Sequence, residues 1–260
     1  MKTTSVAGVV LAAAALMPGA LAETEEFDWT GSVKAGQTVE VKGVNGDVEA
    51  EPSTGGQVEV HAVKSGKRDD PSEIRIEVVE HGNGVTVCAI YPGKDYSCEP
   101  GAGGLGAQNN DVTVTFTVRV PSGANFAGRT VNGSVEAESI DGNVEATTVN
   151  GEIEASAAGW VRASTVNGGI DVTMGRADWT GDLDLETVNG SVTVALPANA
   201  STEVRLKTLN GEIESDFPVE MKGKYGNRKA DGTLGGGGRE LEIESVNGSV
   251  KLARKTDLAG

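Results

Sequence analysis

Hydrophobic and polar positions alternate with a period of two along most of the chain, the pattern of strands that bury one face. Such runs include Thr38-Val39-Glu40-Val41, Gln57-Val58-Glu59-Val60, Ile74-Arg75-Ile76-Glu77-Val78 and Val112-Thr113-Val114-Thr115-Phe116. One phrase punctuates them: apolar-Asn-Gly-x-apolar, usually preceded by Thr or Ser. It is centred on Asn45-Gly46, Asn132-Gly133, Asn150-Gly151, Asn167-Gly168, Asn189-Gly190, Asn210-Gly211 and Asn247-Gly248, with Asp141-Gly142 as a variant.

Asn-Gly between β-branched residues is a strong signal for a two-residue hairpin. Side-chain parity argues against that here. A hairpin would place Val135 opposite Thr130, pairing an apolar residue with a polar residue or glycine in every copy. A strand that bends at Asn-Gly instead lets Val131, Val135 and Ala137 point inward together, with Asn132, Ser134 and Glu136 outward. The pattern therefore predicts corners in a coil.

The spacing agrees. From Asn132 to Asn210 the steps between asparagines are 18, 17, 22 and 21 residues, and the step on to Asn247 is 37, either two rungs or one with an insertion. A period near 20 predicts an all-β, right-handed β-solenoid, β-helix-like, whose stacked rungs bury a core that no single rung could bury. Stacked asparagines would form an amide ladder along one edge, and glycine would supply the backbone angles of each corner. Asp141 and Gly159, Gly181 and Ala198-Asn199 mark second corners across the same rungs.

Three segments follow. Residues 1–22 read as a signal peptide: Lys2, an uncharged apolar stretch from Val6 to Met17, then Ala20-Leu21-Ala22 as a cleavage pattern. Residues 23–127 form an N-terminal β region of cap and degenerate rungs, and residues 128–260 the regular repeat, with a loop insertion near 216–238. Pro92 to Asn110 reads as a second loop. The expectation is an exported protein, periplasmic or extracellular at the cell surface, with no transmembrane segment in the mature chain.

Charge narrows the partners. The formal net charge of −16 over 260 residues argues against nucleic acid, which requires a basic face. Lys222, Lys224, Arg228 and Lys229 concentrate positive charge in the insertion, where a solvated loop is the simpler reading. Cys88 and Cys98, ten residues apart, fit one disulfide in an oxidising compartment. A metal or redox pair is the alternative, but there is no C-x-x-C and neither His61 nor His81 is near in sequence.

The repeats, together with Thr115-Phe116-Thr117-Val118-Arg119-Val120-Pro121-Ser122-Gly123 and the closing Gly235-Gly236-Gly237-Gly238 and Ser245-Val246-Asn247-Gly248-Ser249-Val250, resemble the putative-adhesin family of bacterial β-strand-repeat proteins, a domain of unknown function. The resemblance spans about Glu40 to Leu252. It implies a solenoid-like all-β fold in an exported bacterial protein and brings no catalytic residues.

No catalytic, metal or cofactor site is assigned. Asp182/Asp184, Glu212/Glu214, Glu136/Glu138 and Glu240/Glu242/Glu244 are spaced i, i+2 on one strand face, as any acidic repeat protein would show. The partner expected is a cell-envelope polysaccharide or a surface protein, bound by a non-enzymatic interaction scaffold. The alternative is a carbohydrate-active enzyme using those outer carboxylates. Trp160, Trp179 and Tyr225 could stack on sugars, although packing is the commoner use of such residues.

Overall fold

The computed structural model describes residues 23–255, apart from 94, 95, 102, 104, 105, 107, 108 and 224–226. The signal-peptide reading, Lys224 and Tyr225 lie outside the described residues. Two facing sheets contain every strand among the described residues. The first runs in space as β1 (Glu23–Gly31), β4 (Val58–Gly66), β7 (Thr113–Val120), β3 (Val48–Pro52), β9 (Val135–Ile140), β11 (Ile153–Ala157), β13 (Ile170–Met174), β15 (Val192–Leu196), β21 (Val250–Arg254) and β17 (Ile213–Ser215). The second runs as β18 (Glu220–Lys222), β19 (Arg228–Leu234), β16 (Thr202–Asn210), β20 (Glu240–Asn247), β14 (Asp182–Asn189), β12 (Val161–Asn167), β10 (Val144–Thr147), β8 (Asn125–Arg129), β2 (Thr38–Lys42), β6 (Gly84–Ile90) and β5 (Arg75–His81).

Each rung takes one strand from each sheet. Strand alternation turns Val144 and Ala146, Val161 and Ala163, and Leu183 and Leu185 inward from the second sheet. Val135 and Ala137, Ile153 and Ala155, and Ile170 and Val172 meet them from the first. One continuous core runs from Val39 to Leu252 and joins both halves of the chain.

Stacking order departs from chain order at both ends. The rung β2–β3 lies between β6–β7 and β8–β9, and the last rung in sequence, β20–β21, slots between β14–β15 and β16–β17. The 37-residue step is thus one rung with an insertion. That insertion, expected as a loop, is a hairpin: β19 pairs antiparallel with β16, and β18 with β19. It covers an edge that would otherwise offer free backbone groups. Its return strand leaves the chain on the wrong side of β16, so Gly235–Gly238 cross over the start of that strand to reach β20. Gly235, Gly237 and Gly238 have φ of 55°, 68° and 113°, the left-handed region that glycine adopts without a Cβ penalty. Ser201 holds the crossing, its hydroxyl donating to the Gly237 carbonyl at 3.2 Å and accepting from the Gly236 amide at 2.9 Å.

At the opposite end the antiparallel strands β4 and β1 extend the first sheet and β5 the second. Cys88 and Cys98 are disulfide-bonded, with Cα atoms 5.7 Å apart, which ties Cys98 to β6.

Candidate functional site

The edge where each second-sheet strand turns into its first-sheet partner is the most regular surface of the molecule. Six amide hydrogen bonds join seven asparagines in the spatial order Asn45, Asn132, Asn150, Asn167, Asn189, Asn247 and Asn210, each at 2.8 or 2.9 Å. Asn45 ends the row, donating to the Asn110 and Val112 carbonyls at 3.3 and 3.4 Å. Tyr91 closes the same end: its hydroxyl donates to the Val112 carbonyl at 2.9 Å, and burial pushes its pKa up to about 12. Asp141, the variant copy, lies outside this row. It sits across the rung, accepting from Ser122 Oγ and the Gly123 amide.

The hydroxyl residue two places before six of the seven asparagines explains its recurrence. Thr130, Thr148, Thr165, Thr187, Ser245 and Thr208 are all buried. Each donates to the carbonyl of a corner glycine on the neighbouring rung, at 2.7–3.0 Å. Exchanging Thr165 for the isosteric valine would leave the Gly151 carbonyl without this donor. Thr165→Val is expected to lower unfolding free energy by about 1–2 kcal/mol, read from urea denaturation midpoints.

This inward threonine overturns one part of the parity expected from sequence. With the hydroxyl turned in, the next residue must face out. Val131 is only partly buried, while Val149, Val166, Val188 and Leu209 are 37%, 39%, 40% and 47% exposed. They make an aliphatic stripe parallel to the amide ladder. The corner glycines also serve a different purpose from the one expected. Only Gly46, with φ of 118°, is clearly left-handed. A Cβ on Gly133, Gly151, Gly168, Gly190, Gly211 or Gly248 would instead fall 1.9–2.1 Å from a glycine carbonyl oxygen on the next rung. Glycine is required there because the backbones nearly touch.

The carboxylate sets are dispersed along the two outer faces. Glu240 pairs with Arg205, Glu242 and Glu244 with Lys207, Glu214 with Lys251, and Glu212 with Arg228. Lys222, from the basic cluster, pairs with Asp231 and Glu220. Asp182 and Asp184 stay exposed on β14. Among the described residues no group of three or more His, Cys, Asp or Glu is placed to hold a metal.

One acidic row is unrelieved. Glu49, Glu136, Glu154 and Asp171 stand in register on four adjacent parallel strands. Burial, then repulsion from Glu49 and Glu154, raises the Glu136 pKa. A raised folded-state pKa means a penalty that is present at pH values above it and absent below the unfolded value. Glu136→Gln is therefore expected to stabilise the fold at pH 7 by a few tenths of a kcal/mol after solvent screening, with the gain disappearing as pH falls through the carboxylate range. Thermal melts of both proteins across pH 3–8 at low salt, ranges of roughly the carboxylate titration, would show it.

Two features escaped the sequence reading. Asn125 and Asn143 form a second amide row at the opposite edge: Asn125 Oδ1 accepts from the Asn143 amide at 2.9 Å, and Asn143 Oδ1 from the Trp160 amide at 3.2 Å. The other is a buried ion cluster on the outer face of the second sheet. Glu40 Oε1 accepts from Arg129 Nε at 3.1 Å, and Glu40 Oε2 from Thr86 Oγ1 at 2.9 Å and the Gly101 amide at 3.0 Å. Arg129 continues to Glu145 at 3.2 Å, and Lys42 donates to the Glu99 and Gly103 carbonyls at 2.6 and 3.1 Å. Alternation marks Glu40 and Lys42 as outward, and only the chain folding back over β2 makes them buried. Trp179 is core, its indole NH donating to the Glu240 carbonyl at 2.9 Å, while Trp160 is partly buried.

Residues 127–253 match the family described as Toastrack DUF4097. Among solved structures, a putative cell adhesion protein from Clostridium sporogenes is similar at 13% identity over 89% of this chain and 100% of its own, with a TM-score of 0.43. A putative adhesin from Bacteroides fragilis is similar at 12% identity over 89% and 97%, with a TM-score of 0.31. No curated protein matches the chain.

Proposed function

Residues 127–253 belonging to the Toastrack family of domains of unknown function, we propose that the protein is an exported, non-enzymatic interaction scaffold of the cell envelope, adhesin-like, which binds an envelope polysaccharide or a surface protein along its corner edge. The aliphatic stripe carries this reading. Val149, Val166, Val188 and Leu209 stay exposed in a line, on rungs whose amide ladder already satisfies its own hydrogen bonds. Aligned exposed apolar residues on a rigid, pre-paired backbone mark an interaction surface. Binding there need not order the protein, which removes one cost of association.

The test is binding of the exported chain to purified envelope polysaccharide and to isolated surface proteins. The triple variant Val149→Ser, Val166→Ser, Val188→Ser should weaken binding at least roughly tenfold, a loss of about 1.4 kcal/mol, with little change in melting temperature because the positions are exposed. Silence against both classes, or undiminished binding by the triple variant, overturns the reading.

A further inference from the structure

We infer that a groove on the outer face of the second sheet, at the edge opposite the aliphatic stripe, is a binding site for a short uncharged oligosaccharide. The groove arises from one small residue in a row of long ones. Ala127 stands in register between Glu40 on β2 and Glu145 on β10. Its methyl forms a floor between two carboxylate walls. The resulting depression measures about 460 Å³, within the range of small-ligand sites.

Its walls are held before any ligand arrives. Arg129 bonds both Glu40 and Glu145, and Glu40 takes two further donors from Thr86 and the Gly101 amide. A side chain with that many partners keeps one rotamer, as a recognition site requires. The charges also balance locally: Glu40 and Glu145 face Arg129 and Lys42. In a chain of net charge −16, the formal charges of this patch cancel. An ion would gain nothing from it, whereas a neutral polyol would find donors and acceptors already fixed.

The remaining lining suits a sugar. Trp160 stands at one end, its backbone pinned by Asn143 and its ring stacked against the Arg162 guanidinium at 5.9 Å. An indole presents a flat apolar face of the kind that packs on a pyranose ring while its NH remains free to donate. The Asn83 side-chain amide and Asn143 Nδ2 make no hydrogen bond among the described residues and line the same groove. With Asn83 exposed and Asn143 half-buried, both amides are open to a ligand rich in hydroxyls. The inference rests on the envelope-interaction reading only for its choice of glycans; the groove and the stripe are separate surfaces.

The experiment is calorimetric titration of the exported chain with cellotriose, chitotriose, maltotriose and the anionic trigalacturonate. At least one neutral trisaccharide should bind saturably. Trp160→Ala should weaken it at least roughly tenfold, or about 1.4 kcal/mol; Ala127→Leu, which fills the floor, should abolish it. Asn83→Ala, at an exposed turn where the side chain has no hydrogen-bond partner among the described residues, should weaken it without moving the urea midpoint, which guards against misfolding of the other two. The stripe triple variant should bind the trisaccharide normally. Silence toward all neutral sugars, binding of trigalacturonate alone, or binding unchanged in both Trp160→Ala and Asn83→Ala would overturn the groove. If envelope binding through the stripe persisted in any of those cases, the broader reading would stand without it.

Discussion

Gly168→Ala is expected to destabilise the fold by about 3 kcal/mol or more. An ideal Cβ at this position lies 1.9 Å from the Gly151 carbonyl oxygen, 2.5 Å from its carbon and 3.0 Å from the Glu152 nitrogen. All three are backbone atoms, so no rotamer change relieves the overlap. Moving the rungs apart would strain the Gly151 amide bond to Asn167 and the Gly168 amide bond to Asn189. It would also stretch the Asn150–Asn167 amide pair and compress the Asn167–Asn189 pair, each at 2.8 Å. Gly181→Ala provides the contrast. Gly181 has φ of 76° and nothing within 4 Å of its Cβ position. Its cost is conformational alone, about 1–2 kcal/mol. Urea denaturation of the two variants ranks the effects, and a smaller loss at position 168 than at 181 would refute the close-packing account.

Glu40→Ala should cost a similar amount, about 3 kcal/mol, by a different route. The Glu40 side chain is 7% exposed and that of Lys42 3%. Removing the carboxylate strands Arg129 Nε and the Gly101 amide, leaves Thr86 Oγ1 with His81 Nε2 alone, and takes away the charge that offsets the burial of Lys42. Burial already lowers the Lys42 pKa, with Glu40 opposing. A depressed lysine pKa penalises the fold while the amine is charged in it, and the penalty eases as pH rises from the folded value toward the unfolded one. The deficit of Glu40→Ala should accordingly shrink at alkaline pH. Replacing both groups by apolar residues of similar size, Glu40→Leu with Lys42→Met, should recover part of the loss at neutral pH, since no charge is then left unpaired. Chemical denaturation with the disulfide intact measures all three proteins; equal losses in the single and double variants would refute the buried-pair account.

Why Glu40 was legible only as a surface position, and Gly168 only as a corner, has a common explanation. Period-two alternation is a property of residues i and i+2, so it reports which face of a strand a side chain occupies. It cannot report what another part of the chain later lays over that face. Pro100 and Gly101, brought back by the Cys88–Cys98 link, turn an outward position into a buried one. Likewise the inward Thr165 and outward Val166 answer to a carbonyl on the neighbouring rung. Reading the apolar residue of each phrase as the inward one was natural from local pattern, and the hydroxyl–carbonyl bond decided otherwise.

Local chemistry by itself determined the all-β class, the two-strand rung, the stacking of asparagines along one edge and the pairing of the two cysteines. These follow from alternation, turn residues and spacing, all carried within about one rung of sequence. The order of stacking was decided only by the tertiary structure. Asn189, Asn210 and Asn247 sit in nearly identical phrases, any of which could stack on any other at the same local cost. The β18–β19 hairpin and the glycine crossing over β16 place Asn247 between the other two, and that choice is made by long-range strand pairing and edge coverage, for which no neighbouring residue carries a signal.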